Sequence, residues 1–309
     1  MNNRLLRLLP LLIAATLLQL PLSGFAAPPP VKAKNVIILI GDGMGPSQFA
    51  AAWYYSNRVL NKDLHMSALM KKGRTAYLMN DTADAMVTEL AAAAGQIATG
   101  ERMTAGAISM AVDGVTPVKT IMEMAKAKKM STGLVTTSGI TDATPAAFAS
   151  HLAKRSDEAS AAEQELSLGV DVLMGGRKQF FLPESAGGKR KDSRNLLDEA
   201  RTAGYAVVET SGEMAAAPAG KLLGLFNMGN MSYEIDRATT AEPSLAEMAA
   251  KALQTLSGNS HGFFVMIEAG GSTTPRTSMT RLRRSAIRWL LTRRSASPWL
   301  SSRRTRRRC

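Results

Sequence analysis

Three acidic residues lie at points of the sequence where a carboxylate could bind a cation. Asp42 lies in a Gly-Asp-Gly-Met-Gly turn, Asp142 opens an Asp-Ala-Thr-Pro turn, and Glu268 follows an apolar Phe-Phe-Val-Met-Ile run. Carboxylate oxygens are ligands of Mg²⁺, and Zn²⁺ also accepts them. Each motif alone is equally typical of a turn residue or a helix cap. If the three segments meet in space, they could hold a metal ion.

The second of these motifs carries further polar residues. Asp142 and Thr144 can both direct oxygens at one cation, or they can cap a helix that begins near Pro145. On that predicted helix His151 and Arg155 are four residues apart and share a face. Arginine binds phosphate in a bidentate way, although an ion pair with a nearby acidic residue is the alternative. For His151 we favour a packed, hydrogen-bonded helix residue over a metal ligand.

A third segment could stabilise an anion. Thr88, Glu89 and Leu90 precede a helix of small residues predicted over 91–99 and closed by Gly100. The N-terminus of a helix offers free N–H groups to an anion. The alternative is a capped, tightly packed helix with Thr88 or Glu89 in its first turn.

Apolar runs alternate with helix-like stretches along the chain, which predicts an α/β fold. We expect a mostly parallel central sheet with helices on both faces. Ligands of such sheets bind beyond the carboxyl ends of the strands, where all three acidic residues fall. The predicted strands are 36–40, 132–135, 170–173 and 263–267, and the predicted helices are 46–57, 91–99, 118–128, 156–169, 193–204 and 244–256.

Composition limits the classes of function. The net charge of +13 comes almost entirely from twelve arginines in residues 272–309, a segment that has no lysine and no acidic residue. Without that segment the chain is nearly neutral, so nucleic acid is not an expected partner of the body. Cys309 is the only cysteine, which excludes an intrachain disulfide and a cysteine-based zinc site. With three histidines in all, a metal site must rest mainly on carboxylates.

The N-terminus is typical of a secretory signal peptide over residues 1–26. Arg4 and Arg7 precede a short apolar stretch, and a small-x-small site ends at Ala26. A membrane anchor is the alternative, but the apolar stretch is too short and Pro10 interrupts it. Residues 27–34 form a proline-rich lead-in. We expect a periplasmic or secreted protein without membrane attachment after signal cleavage.

Four segments together resemble motifs of the bacterial alkaline phosphatase family. Residues 35–45 (NVIILIGDGMG), 141–147 (TDATPAA) and 263–268 (FFVMIE) match three of them in order, and residues 170–183 (VDVLMGGRKQFFLP) match the pattern V-D-V-x-x-G-G-G-x-x-x-F-x-P. The resemblance runs from about Asn35 to Gly270. It implies an alkaline phosphatase-like α/β domain and hydrolysis of phosphate monoesters at a site with two Zn²⁺ and one Mg²⁺. The family forms homodimers, an arrangement that we do not extend to this chain.

The resemblance also implies roles for individual residues. Asp42 would bridge a zinc and the magnesium site, and Asp142, Thr144 and Glu268 would hold the magnesium. Arg155 matches the arginine that binds phosphate.

The nucleophile position departs from the family. Its pattern V-T-[DE]-S-A-A-A supplies a serine that forms a phosphoseryl intermediate, and Leu90 occupies that position here. Leucine has no nucleophilic atom, and Thr88 could replace the serine only if the turn changed register. We therefore expect an impaired or inactive phosphatase. The alternatives are a non-catalytic remnant that binds metal or phosphate, and a basic protein that interacts through its tail.

The family pattern stops near Gly271. There the family continues G-[GR]-x-I-D-H-x-x-H-x-N-D, whereas residues 272–281 read STTPRTSMTR. Read one base earlier, these ten codons can encode Ile-Asp-His-Ala-Ala-His-Val-Asn-Asp-Ala, and the second Asp is forced because the methionine codon ends in G. We therefore expect a partial alkaline phosphatase domain over 35–271, a frame-shifted tail over 272–309, and an incomplete zinc site.

Overall fold

The computed structural model of the protein describes residues 33–234 and 236–270. The predicted signal peptide and the arginine-rich tail lie outside these residues and stay predictions. In the part that the structure describes, no helix combines the length and apolar character needed to cross a membrane.

A parallel sheet of six strands runs through the described residues and confirms the predicted fold class. Its spatial order is β1-β6-β2-β3-β5-β4, and each neighbouring pair is parallel. Helices connect consecutive strands, as parallel pairing requires. The strands are β1 (Val36–Gly41), β2 (Ser131–Gly139), β3 (Val172–Gly176), β4 (Ala206–Val208), β5 (Leu222–Leu225) and β6 (Phe263–Ala269).

The four predicted strands are present, but their ends differ from the sequence prediction. β2 continues four residues further, to Gly139, and β6 includes Glu268 instead of ending before it. β3 begins at Val172 and takes in both glycines that were expected to follow it. β4 and β5 were not predicted, because three- and four-residue apolar segments carry no clear period on their own.

Nine α-helices lie between and around these strands in the described residues. Five of the six predicted helical stretches overlap one of them closely, and in the sixth, residues 46–57, the helix continues into a π-helical turn at Tyr55–Val59. The α-helices are α1 (Pro46–Tyr54), α2 (His65–Lys72), α3 (Leu90–Thr99), α4 (Ile121–Ala127), α5 (Ala143–Ala149), α6 (Glu158–Ser167), α7 (Leu196–Thr202), α8 (Ser211–Ala216) and α9 (Leu245–Leu256).

An apolar cluster covers each face of the sheet, and the side chains of β6 contribute to both clusters. Phe264 and Met266 are buried in the apolar cluster on one face, while Val265 and Ile267 are buried in the cluster on the other. This alternation follows from the two-residue period of a strand. Each fully buried side chain of this size contributes about 1.5–3 kcal/mol to folding, so burial on both faces holds β6 firmly between β1 and β2.

The helix that was predicted to carry His151 and Arg155 is shorter than expected. α5 ends at Ala149, and Ser150 has an extended backbone, with φ −145° and ψ 163°. Beyond it Leu152 pairs with Ile108 through two backbone hydrogen bonds of 2.8 and 2.9 Å. These bonds replace the ones that a further helical turn would make. His151 and Arg155 therefore lie on a loop, and the prediction of a shared helix face is wrong.

Candidate active site

The carboxyl ends of three adjacent strands bring the three acidic residues to one edge of the sheet. On β6, Glu268 is in register with Ile40 of β1 and Thr136 of β2. Asp42 directly follows β1, and its N–H donates to the carbonyl of Ala269 over 3.2 Å. Asp142 lies in the turn that connects β2 to α5.

Glu268 is almost fully buried, with 2% of its surface exposed. Its Oε2 accepts a hydrogen bond of 2.6 Å from the hydroxyl of Thr136, and Thr144 donates a second. Burial, together with the charges of Asp42 and Asp142, raises the pKa of Glu268 to about 7, although the hydrogen bonds from the two hydroxyls act in the opposite direction. The site therefore holds a carboxyl group that is readily protonated near neutral pH.

Asp42 belongs to the same electrostatic cluster. Burial raises its pKa, and the negative charge of Asp142 acts in the same direction. Arg155 and the backbone N–H of Gly43 oppose this rise. Burial and neighbouring carboxylates thus disfavour the charged forms of Asp42 and Glu268, and a nearby positive charge would stabilise those forms.

The carboxylate of Asp142 is saturated with hydrogen-bond donors. Its Oδ1 accepts from the N–H of Ala143 at 2.8 Å and from Arg155 at 3.0 Å. Its Oδ2 accepts from the hydroxyl of Ser138 at 2.9 Å and from Arg177 at 3.2 Å. A carboxylate oxygen has about two acceptor positions, so this arrangement leaves none for a metal ion. Accordingly, among the described residues no group of three or more His, Cys, Asp or Glu side chains is placed to hold one.

Arg155 connects two parts of the site. Besides Asp142, its guanidinium donates to Oε2 of Glu89 over 2.8 Å, and its backbone N–H donates to the carbonyl of Gly106 over 2.8 Å. About a third of the side chain is exposed. Its partners are thus distant in sequence, not the adjacent acidic residue that was considered as an alternative.

Glu89 is the N-cap of α3, which supports the capped-helix interpretation of this segment. Its carboxylate accepts from the N–H groups of Ala91 at 2.9 Å and Ala92 at 2.8 Å, and also from Gly106 at 3.0 Å. Burial alone would raise the pKa of Glu89, but these N–H groups and Arg155 hold it below its ordinary value. The N–H groups at the start of this helix are therefore already bonded to a carboxylate.

Leu90 is the first residue of α3 and is partly buried. Its side chain packs against an alanine-rich cluster formed by α3, α5 and α6. The position predicted for a nucleophile is thus occupied by a side chain that contributes only apolar contact.

His151 lies outside the acidic cluster. Its Nδ1 is 2.9 Å from the carbonyl oxygen of Ser109, and its Nε2 is 3.1 Å from Oε1 of Glu123. These contacts agree with the expected packed, hydrogen-bonded role, although the residue is not helical.

Arg177 is the site residue that sequence reasoning missed. It donates to Asp142 and also to Glu158, at 2.5 Å. A signal was available, because Arg177 stands where the pattern V-D-V-x-x-G-G-G has its third glycine. An arginine at a glycine position, next to an acidic site, indicates a specific contact.

The fold and the site together define an α/β protein with an acidic sheet edge whose carboxylates are bridged by arginines. Residues 33–274 match the sequence profile of the family described as alkaline phosphatase, and the chain belongs to that family.

Known relatives agree with this assignment. Alkaline phosphatase 3 of Bacillus subtilis is 39% identical over 244 residues, a match that covers 76% of this chain and 50% of the relative. The alkaline phosphatase of Thermus thermophilus superimposes with a TM-score of 0.72 at 34% identity and covers 77% of this chain and 50% of that structure. A mutant alkaline phosphatase of the Antarctic bacterium TAB5, described with Mg bound in its M3 site, gives a TM-score of 0.66 at 27% identity and covers 77% of this chain and 64% of that one. The chain thus spans about half the length of the first two relatives.

Proposed function

We propose that this chain carries the magnesium-type half of a phosphomonoesterase site together with its phosphate-binding arginine. The observation that carries the proposal is the position of Arg155, whose guanidinium is held between Glu89 and Asp142. The same guanidinium opposes the rise in the pKa of Asp42 and so lies within electrostatic reach of the acidic cluster. A phosphate would there meet both an arginine and any cation that the carboxylates hold.

The donor groups fit magnesium in their chemistry. Asp42 and Glu268 offer carboxylate oxygens and Thr144 offers a hydroxyl, and Mg²⁺ prefers such hard oxygen ligands. Asp142 can add an oxygen only when one of its four hydrogen-bond donors is displaced. Burial and mutual repulsion raise the pKa values of Asp42 and Glu268, and a bound cation would relieve both effects. When bound, Mg²⁺ would neutralise this edge of the sheet and favour an anionic substrate. The TAB5 relative with bound Mg supports this choice of metal.

Arg155 suits the recognition of a phosphate monoester. Its planar guanidinium can donate two parallel hydrogen bonds to two phosphate oxygens. Glu89 and Asp142 orient the group before substrate binds and neutralise its charge. Because a third of the side chain is exposed, phosphate can reach it without unfolding of the surrounding loop.

We infer that turnover by this chain is impaired. Leu90 cannot form a phosphoryl ester, and the zinc ligands expected after Gly271 are replaced by the arginine-rich sequence. The same leucine favours the second candidate function, non-catalytic binding of phosphate or metal at the half-site.

Two measurements on the full chain test these proposals. We expect no hydrolysis of p-nitrophenyl phosphate above background with added Zn²⁺ and Mg²⁺, whereas calorimetry should detect binding of inorganic phosphate. Arg155→Gln should weaken phosphate binding at least about tenfold, since it removes a charge-assisted bidentate contact. The control Arg201→Gln removes an exposed arginine whose ion pair, within the described residues, is with Asp198 across one turn of α7, and it should leave phosphate affinity unchanged.

The outcomes separate the two proposals. Robust hydrolysis would contradict the impaired state. Equal phosphate affinity in Arg155→Gln and Arg201→Gln would contradict the phosphate site, whatever the hydrolysis result.

A further inference from the structure

Arg177 has an unusual backbone conformation. Its φ of 62° and ψ of 38° lie in the left-handed region, which glycine adopts freely and arginine rarely does. Its N–H donates to the carbonyl of Gly229 over 2.5 Å, so the neighbouring loop holds this conformation. A side chain retained at such a position has contacts that offset the strain.

Those contacts hold the guanidinium in one place. Its Nε donates to Oδ1 of Asn230 at 2.8 Å, its Nη1 to Oε2 of Glu158 at 2.5 Å, and its Nη2 to Oδ2 of Asp142 at 3.2 Å. Only 19% of the side chain is exposed. Three anchors around a planar group fix its orientation.

Gly139, the last residue of β2, makes room for this side chain. A Cβ at Gly139 would lie 2.1 Å from Cδ of Arg177 and 2.3 Å from its Cγ, far inside van der Waals contact. The stem of Arg177 therefore crosses the end of β2 directly over a residue without a side chain. Any larger residue there would displace the guanidinium from Asp142.

We propose that Arg177 is a built-in cation that occupies an acceptor position on Oδ2 of Asp142 and competes with a divalent cation for it. The inference rests on the proposed magnesium half-site. Arginine remains charged at all physiological pH values, so this competitor cannot be removed by deprotonation. Of the four donors to Asp142, Arg177 makes the longest contact, at 3.2 Å, so we expect magnesium to displace Arg177 before Asp142 acts as a ligand.

Calorimetric titration of the full chain with MgCl₂, without phosphate, tests the competition. Arg177→Gly removes the guanidinium and suits the left-handed backbone, so the variant should fold, and it should bind Mg²⁺ at least about tenfold more tightly, the equivalent of about 1.4 kcal/mol. Gly139→Ala displaces the same side chain without any change of charge and should also strengthen Mg²⁺ binding. Lys178→Ala, at the next residue, removes a lysine that pairs with Glu209 and should leave Mg²⁺ affinity unchanged.

Asp142→Asn separates failure of this inference from failure of the proposed site. Loss of Mg²⁺ binding in Asp142→Asn, with unchanged or weaker affinity in Arg177→Gly and Gly139→Ala, would overturn the competition and keep the magnesium site. An absence of Mg²⁺ binding in the parent, in Arg177→Gly and in Gly139→Ala would overturn both. Far-ultraviolet circular dichroism of each variant confirms that folded protein is compared.

Discussion

The guanidinium of Arg155 and the carboxylate of Glu89, 66 residues apart in sequence, are joined by a hydrogen bond of 2.8 Å. The same carboxylate caps α3 and accepts the N–H of Gly106. Glu89 thus connects the start of α3, the loop at Gly106 and Arg155. Its role is the positioning of Arg155 as well as the capping of the helix.

Replacing Glu89 should therefore destabilise the protein. Glu89→Gln removes the charge and places an amide among N–H donors, so we expect a loss of about 1–3 kcal/mol in the free energy of unfolding. Urea denaturation measures the change. Glu101→Gln, at an exposed position just beyond α3, is the matched control and should change stability by less than about 0.5 kcal/mol. Equal stability of the two variants would show that the hydrogen bonds of Glu89 to α3, Gly106 and Arg155 do not stabilise the folded protein.

Glu268 should make the metal-free protein less stable as pH rises. Its pKa is about 7 in the folded state, above its ordinary value of 4.5, so the folded state binds more protons than the unfolded state between these values. The stability from this group is fully present below about pH 4.5 and is lost as pH rises through 7, by on the order of 3 kcal/mol. Thermal unfolding in EDTA from pH 4.5 to 8 measures this loss. Glu268→Gln should flatten the profile, and an unchanged profile would contradict the assignment.

Glu165, a second buried carboxyl group, should also make the protein less stable as pH rises. Within the described part of the chain, both of its carboxylate oxygens are buried and lack a hydrogen-bond partner. Burial raises the pKa of Glu165 well above its ordinary value, and the charge of Glu158 adds to this rise. The hydroxyl of Tyr205 also interacts electrostatically with Glu165. Its contribution to stability is therefore present at low pH and lost as pH rises through the raised pKa.

A neutral replacement tests this account of Glu165. Glu165→Met keeps a side chain of similar length without a charge, and it should raise the melting temperature more at pH 8 than at pH 5. Glu163→Met, two residues earlier on α6 and partly exposed, is the control for a change of charge on this helix. A gain that is equal at both pH values would contradict a buried, protonated Glu165.

Restoring a serine at the nucleophile position should not restore activity. Leu90→Ser supplies a hydroxyl at the start of α3, but the zinc ligands expected after Gly271 stay absent from the sequence. We expect p-nitrophenyl phosphate hydrolysis to stay at background, with a stability loss of about 1 kcal/mol from the lost apolar contact. Hydrolysis by Leu90→Ser would show that this chain holds a complete metal site after all.

The local sequence pattern was sufficient to predict much of the fold. The four predicted strands exist because each is an apolar run long enough to be buried on both faces of a parallel sheet. The helix over 91–99 ends as predicted, because Gly100 adopts the left-handed conformation at φ 80°. The short strands β4 and β5 were missed, since their pairing with β3 and with each other, not their own sequence, makes them strands.

Tertiary contacts determined the end of α5 and the position of Arg155, which the local pattern did not predict. Nothing in the sequence near Ser150 forbids another helical turn; the backbone bonds between Leu152 and Ile108 end the helix there. Those bonds place Arg155 on a loop from which it reaches Glu89.

The sequence by itself determined the family, four of the six strands in the described sheet and the acidic residues at its carboxyl edge, because motif identity and apolar periodicity are local properties. Only the tertiary structure showed that Asp142 is held by Arg155 and Arg177 and that Glu268 is buried. Hydrogen-bond partners and desolvation depend on which distant segments pack together, and a local pattern does not encode them. The charge state of the site is therefore a property of the folded chain.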